Sequence, residues 1–260
     1  MARKLTAAEL KEFLDNKVNA FNNPAFIKDD PISIPHRFSR KEDIEICAFL
    51  VATISWGQRP VILSNGARLM QLMDDQPYEF ILNASGKEIK RLKNFVHRTF
   101  NGQDVIFFTE ALKNIYKNSS GLEQLFSVAL KKSNGKMGEA ISIVRKEFFS
   151  YKLPGRSSKH FSDPLANSAA KRINMMLRWL VRTDKKGVDF GIWKSISPSL
   201  LYCPLDVHSG RVARELGLLK RTQNDWKAVD ELTQNLRLFD KNDPVKYDFA
   251  LFGLGISKGL

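Results

Sequence analysis

The segment from Cys203 to Arg214 combines an acid with two arginines at spacings that favour an anionic ligand. Pro204 favours an extended approach to Asp206, and Asp206 is suited to cap the helix that follows it. Arg211 and Arg214 lie on that predicted helix. We therefore expect a carboxylate at the mouth of a helix with cationic side chains close by. A purely structural capping role is the alternative for the acid, and the two roles are compatible.

His208 follows the acid by two positions, where it is placed to orient Asp206 or to contact a phosphate. The other three histidines do not stand at metal-ligand spacing from it. Cys47 and Cys203 are too few for a disulfide framework or a four-cysteine metal site. We therefore expect no metal and no cofactor.

A second group of polar residues recurs at helical spacing between positions 168 and 182. At 100° per residue, one face of this predicted helix is apolar and the opposite face is polar. The polar face carries Lys171, Asn174, Arg178 and Arg182. One interpretation is the solvated face of an ordinary amphipathic helix, and the other is a basic stripe that meets a polyanion.

Helical spacing dominates the rest of the chain, so helices are predicted to position these residues. A capping box at Thr6 to Glu9 begins the first helix, and 22–40 reads as a long loop. A buried helix is predicted to begin near Lys41 and to end before a turn at 55–60. Further helices are predicted over 63–73, 88–95, 105–116, 122–130, 137–149 and 226–239 and after 243–244, with a loop or hairpin at 152–167.

Composition and charge limit the classes of protein. Hydrophobic residues make up 43% of the 260 positions, which indicates a folded globule. Lys and Arg total 41 against 28 acids, a net charge of +13, so the favoured partner is a polyanion such as nucleic acid; the alternative is that the charge only maintains solubility. The chain has no stretch of about 20 apolar residues and its first residues are charged, so we expect no membrane partner and a cytoplasmic location. The oligomeric state is not indicated.

A family resemblance adds to this interpretation. The run from Leu205 to Val212 resembles the segment that carries the catalytic aspartate in helix-hairpin-helix DNA glycosylases. Over most of its length the chain resembles an uncharacterised bacterial family close to the archaeal 8-oxoguanine DNA glycosylases, with Lys171 to Trp179 as the second landmark. The resemblance implies an all-α, glycosylase-like fold in one helical domain over residues 1–260, with two helical lobes around a cleft.

The resemblance also implies roles for individual residues. Lys171 matches the position of a nucleophilic lysine and Asp206 that of the acid beside it. Trp56 and Gln58 follow the buried helix, where related glycosylases place residues that contact the base or fill its gap; core packing and a local turn are their alternatives. His208, Arg211 and Arg178 complete the set of predicted substrate-binding residues.

One part of the family pattern is missing. Familiar members carry a Leu-Pro-Gly-Val-Gly hairpin that binds phosphate through backbone amides, and this chain has no equivalent. The segment 157–167, with Lys159, Ser168 and the start of the next helix, is expected to replace it.

The function that these features predict is a DNA repair glycosylase with abasic-site lyase activity. It would act on double-stranded DNA with a damaged base, with 8-oxoguanine as the candidate, through a lysine Schiff base. A non-catalytic nucleic-acid-binding protein on the same fold is the alternative. A third interpretation is an unrelated helical protein that binds no duplex.

Overall fold

The computed structural model describes residues 5–153 and 155–256, and this part of the chain is predominantly helical, which confirms the all-α class. The helices are α1 (Ala7–Phe21), α2 (Lys41–Thr53), α3 (Arg59–Leu72), α4 (Pro77–Asn83), α5 (Gly86–Arg91), α6 (Gly102–Asn118), α7 (Leu122–Lys132), α8 (Met137–Phe148), α9 (Lys171–Val181), α10 (Val207–Glu215), α11 (Trp226–Arg237) and α12 (Tyr247–Ile256). Two short strands, β1 (Val96–His97) and β2 (Phe100–Asn101), pair antiparallel. Among the described helices, none is long and apolar enough to cross a membrane.

The first helix begins at the predicted capping box. The Thr6 hydroxyl accepts a hydrogen bond from the Glu9 amide at 3.3 Å, and the Glu9 carboxylate accepts one from the Thr6 amide at 2.8 Å. These bonds satisfy amide groups that a helix leaves unpaired at its start. Farther along, α1 packs against α12, where a Cβ on Gly253 would lie 2.3 Å from the Phe21 ring. Glycine at 253 is therefore required for the first and last described helices to approach so closely.

The predicted buried helix is α2, and every residue from Ile44 to Thr53 is buried. It packs along α9. Arg172 on α9 donates a hydrogen bond to the carbonyl of Thr53, so one of the carbonyl groups left unpaired at the end of α2 is satisfied. The chain then continues directly to Trp56.

Buried apolar side chains form two clusters. The larger brings together side chains of α2 to α4 and α6 to α9, and the smaller those of α1, α10, α11 and α12. The last helix contributes to both, with Phe249 in the larger cluster and Leu251 in the smaller. Because α9 belongs to the larger cluster and α10 to the smaller, their first residues meet where the clusters adjoin.

Three details differ from the sequence-based expectations. The segment 22–40 contains three short 3₁₀ turns, Pro24–Asp29, Pro31–Ser33 and Pro35–Arg37. Each turn begins at a proline, whose ring fixes φ at a value that suits the first position of a helical turn. The N–H group that proline lacks would have no hydrogen-bond partner at this position, so its absence costs nothing. Helix α4 was not predicted, and it also begins at a proline. Helix α9 begins at Lys171 and not at Ser168.

Candidate active site

Lys171 is the first residue of α9, and an unusual backbone turn precedes it. Ala170 adopts a left-handed conformation with φ of 45°, which is uncommon for a residue with a Cβ atom. Ala170 is 1% exposed, so the surrounding packing holds the turn in place. The turn fixes the point at which the Lys171 side chain leaves the helix.

Asp206 caps α10, as predicted from the sequence. One carboxylate oxygen accepts hydrogen bonds from the amides of His208 at 2.9 Å and Ser209 at 3.0 Å. The Ser209 hydroxyl in turn accepts a bond from the Asp206 amide at 3.0 Å. The cap uses Oδ1 and leaves Oδ2 for a partner outside the helix.

That partner is Lys171. Its Nζ lies 3.6 Å from Oδ2 of Asp206, and the two side chains are 27% and 25% exposed. Burial acts to raise the pKa of Asp206, but the charge of Lys171 and the bonds from Ser209 outweigh it and hold this pKa below its usual value. The acid therefore remains ionised at neutral pH beside the lysine amine.

Both side chains line a cavity of about 630 Å³. Five segments that are remote in sequence form it, at residues 26–31, 55–62, 171–179, 204–209 and 248–256. Its size falls within the range of about 300 to 1,000 Å³ that is typical of ligand sites. The described cavity is thus large enough to enclose a small organic group next to the amine.

Two buried carboxyl groups line the same cavity. Asp30 and Asp248 are each 6% exposed. Burial raises the pKa of Asp30, and it raises that of Asp248 to about 6 against the opposing charges of Arg178 and Lys171. These groups can accept hydrogen bonds from a ligand, and near pH 6 Asp248 can also donate one.

Apart from Lys171, the polar face of α9 is buried, which corrects the expectation of a basic stripe on the surface. Arg178 and Arg182 are 3% and 2% exposed. Arg178 donates to Asp248 at 2.5 Å and to Asp189 at 3.3 Å, and Arg182 donates to Asp189 at 3.0 Å and to Asp243 at 2.8 Å. A buried guanidinium needs such partners. Arg178 therefore reaches the cavity wall already paired with carboxylates.

Trp56 also lines the cavity, and its indole is held by three neighbours. It stacks on the His160 ring with centroids 5.9 Å apart, meets the His97 ring edge-on at 5.0 Å, and lies 4.8 Å from the guanidinium carbon of Arg172. Burial lowers the pKa of His160 to about 4 and that of Arg172 to about 10. Trp56 is therefore a rigid part of the wall beside a neutral imidazole.

The remaining predicted binding residues are not all at the cavity. His208 lines it. Gln58 is exposed next to Gly57, which lines the cavity, but is not itself part of the described lining. Arg211 does not line the described cavity, and it pairs with Glu215 at 2.9 Å. A role of Arg211 in substrate binding therefore stays a prediction, and its exposed side chain forms an i,i+4 ion pair along the helix surface.

Arg214 is likewise engaged within the protein. Its guanidinium donates to the carbonyls of Arg221 at 2.8 Å and Thr222 at 2.9 Å and to Asn224 at 2.6 Å. This arginine therefore stabilises the turn after α10 and is not poised for an external anion. The cationic group near Asp206 comes from α9 instead.

Sequence reasoning missed an aromatic part of the cavity. Phe26 and Phe252 line it half-buried, with ring centroids 6.2 Å apart, and the Arg59 guanidinium lies 5.2 Å from the Phe252 ring. It also missed the two buried acids. Asp248 interrupts an otherwise apolar run, which was a usable signal, whereas Asp30 stands in a segment without periodicity and gave none.

Comparison with known proteins identifies a family for the chain. No curated protein matches the sequence, and no solved structure matches it. A family model described as a protein of unknown function (DUF2400) matches residues 30–257, a range that includes all five segments of the cavity except Phe26. The chain therefore belongs to the DUF2400 family.

Proposed function

We propose that this protein is a DNA repair glycosylase with associated abasic-site lyase activity. It removes a damaged base from double-stranded DNA, with 8-oxoguanine as the first candidate, on a fold of the helix-hairpin-helix glycosylase type. The observation that carries the proposal is the pair formed by Lys171 and Asp206, whose Nζ and Oδ2 atoms lie 3.6 Å apart in the wall of one cavity. A lysine amine can form a Schiff base with the sugar, and an ionised acid beside it can stabilise positive charge on that sugar.

The chemistry follows from the two groups. Lys171 is paired with Asp206 as a cation, so it must first lose a proton, and its neutral amine then attacks C1′ of the nucleotide. The bond from C1′ to the base breaks, and the base leaves with the electron pair and takes up that proton. The bond from C1′ to the ring oxygen then opens, the attached nitrogen gives up a proton that this oxygen takes, and a protonated Schiff base is left. Loss of a proton from C2′ expels the 3′ phosphate and cuts the strand.

Asp206 contributes electrostatically in this scheme. Its lowered pKa makes it a weak proton acceptor, so it is poorly suited to act as a general base. An ionised carboxylate instead stabilises the positive charge that develops on the sugar as the base departs. The capping bonds from the α10 amides fix the carboxylate in place before the reaction begins.

The rest of the cavity is suited to hold an extracted base. Base flipping costs a few kcal/mol of lost stacking, which contacts inside a pocket must offset. The half-buried rings of Phe26 and Phe252 offer apolar surface for this, whereas Trp56 is already covered by its neighbours. Asp30 and Asp248 offer acceptors for the N–H groups of a guanine-type base.

The test is reductive trapping with borohydride on two duplexes, one with 8-oxoguanine and one with an abasic site. We expect a covalent adduct with the wild type on both and none with Lys171→Gln. Lys227→Gln is the matched control, because Lys227 is an exposed lysine on α11 that does not line the cavity. An adduct that persists in Lys171→Gln would contradict the assignment of the nucleophile. Salt-dependent binding without any adduct would favour a non-catalytic nucleic-acid-binding protein.

A further inference from the structure

The hairpin formed by β1 and β2 reaches the rim of the cavity. Its tip is Arg98 and Thr99, both exposed, and Arg98 has a left-handed φ of 55°. The Arg98 side chain lies against Gly57, since a Cβ built on Gly57 would be 3.2 Å from both Cδ and Nη1 of Arg98. Because Gly57 lines the cavity, the hairpin holds a guanidinium group at its edge.

Contacts on both sides fix the position of this tip. His97 is 1% exposed, and its Nε2 donates to the carbonyl of Trp56 at 3.1 Å. Arg156 donates to the carbonyl of Thr99 at 2.7 Å, which joins the hairpin to the 3₁₀ turn Gly155–His160. The tip is therefore anchored to the cavity wall through its backbone and its buried histidine.

The charge at the tip is not neutralised by the protein. Within residues 5–153 and 155–256, Arg98 makes no hydrogen bond and no ion pair. By contrast, Arg40 pairs with Glu42 at 3.1 Å. An unpaired cation at the rim of the cavity leaves an attractive potential for an anion.

We infer that Arg98 binds a backbone phosphate of duplex DNA, so that the hairpin is a second contact beside the cavity. This inference rests on the proposed function, because a nucleotide can enter the cavity only if the duplex lies across its rim. A guanidinium group on a fixed turn suits a phosphate, and each phosphate contact releases counterions, which makes binding depend on salt.

The test measures the dissociation constant for a duplex that contains a tetrahydrofuran abasic-site analogue, over about 50 to 200 mM salt. Arg98→Asn removes the charge and keeps a residue that tolerates the left-handed conformation. We expect the slope of log K against log salt to fall in magnitude by about 0.9, the value for one lost phosphate contact. Arg98→Lys is expected to retain the wild-type slope, because it keeps the charge.

Arg40→Asn is the matched control. Arg40 immediately precedes α2, whereas Trp56 at the cavity follows the other end of this helix. At 1.5 Å per residue, the length of the helix separates Arg40 from the cavity by about 20 Å. Its slope is expected to equal that of the wild type. An unchanged slope in Arg98→Asn overturns the phosphate contact, and the Lys171-dependent adduct can still form in that case. A wild type that binds no duplex at low salt overturns both proposals.

Discussion

Arg178 on α9 and Asp248 on α12 form a buried ion pair with 2.5 Å between Nη1 and Oδ2. The same guanidinium group contacts Asp189, and α12 carries Phe252 at the cavity wall. The pair thus fixes the last helix relative to the helix that begins at Lys171. The shape of the cavity depends on this contact as well as on apolar packing.

Replacing Arg178 with Met is expected to destabilise the fold strongly. The change leaves Asp248 and Asp189 buried without their cation, and breaking a buried pair in this way costs about 3 to 5 kcal/mol. The free energy of unfolding in urea measures the effect. Arg40→Met, which removes a cation from an exposed pair, is expected to cost less than about 1 kcal/mol. Equal losses in the two variants would contradict a structural role for the buried pair.

Asp248 is expected to make stability depend on pH. Its pKa rises from an ordinary 3.8 to about 6 in the folded protein, mainly through burial, with Asp206 adding to the shift and Arg178 and Lys171 opposing it. Between these values the folded state keeps a proton that the unfolded chain releases. This group's contribution is therefore complete below 3.8 and is lost as the pH rises through about 6.

Asp248→Asn removes that contribution. Free energies of unfolding at pH values across the window should therefore decline less steeply with rising pH in the variant than in the wild type. Parallel curves for the two proteins would show that Asp248 does not titrate in this range.

The two properties of Asp206, its cap and its charge, are separable. Asp206→Ala loses the capping bonds and should cost about 1 kcal/mol in the free energy of unfolding, whereas Asp206→Asn retains a capping acceptor and should cost less. Both variants should lose the borohydride adduct on the 8-oxoguanine duplex, because neither offers a negative charge to the sugar as the base departs. Full trapping by Asp206→Asn on that duplex would refute the electrostatic role.

The charge of Asp206 also predicts a pH effect of the opposite sign to that of Asp248. Its pKa is held below the ordinary 3.8, so its contribution is present above 3.8 and disappears as the pH falls through the lowered value. The stability advantage of the wild type over Asp206→Asn should therefore narrow in acid. A constant difference at all pH values would contradict the ion pair with Lys171.

Gly57→Ala is expected to strain the rim of the cavity. Gly57 has φ of 106°, which disfavours any side chain, and the new Cβ would press on Arg98 at 3.2 Å. We expect a loss of about 1 to 3 kcal/mol in the free energy of unfolding. Gly86→Ala is the control, because Gly86 has no neighbour within 4 Å of an added Cβ, and it should change stability by less than about 0.5 kcal/mol.

The structural features that the sequence predicted most reliably are those that depend on residues close together in the chain. The capping box at Thr6 and the cap at Asp206 need groups only two or three positions away, and both are present in the structure. The buried character of α2 was likewise visible in its continuous apolar run. Local chemistry decides such features, so local reasoning is sufficient for them.

The features that depend on residues far apart in the sequence were predicted less well. The periodicity of α9 correctly placed Arg178 and Arg182 on one face, but their burial depends on Asp189, Asp243 and Asp248, which no spacing rule connects to them. The approach of Lys171 to Asp206 was expected from resemblance alone. One-dimensional patterns report which face is polar, and only the tertiary fold decides what covers that face.

Helix α12 packs on α1 and lines the cavity, so the cavity can be completed during synthesis only after α12 has been made. Chains emerge from the ribosome with their amino-terminal part first, and α12 supplies Asp248 and Phe252. Until that helix is made, the apolar face of α1 around Leu14 lacks the helix on which it mainly packs, and Lys171 faces an unfinished pocket. A nascent chain therefore carries Lys171 before the cavity around it is complete, and under the proposed function it can enclose a base only when the last described helix docks.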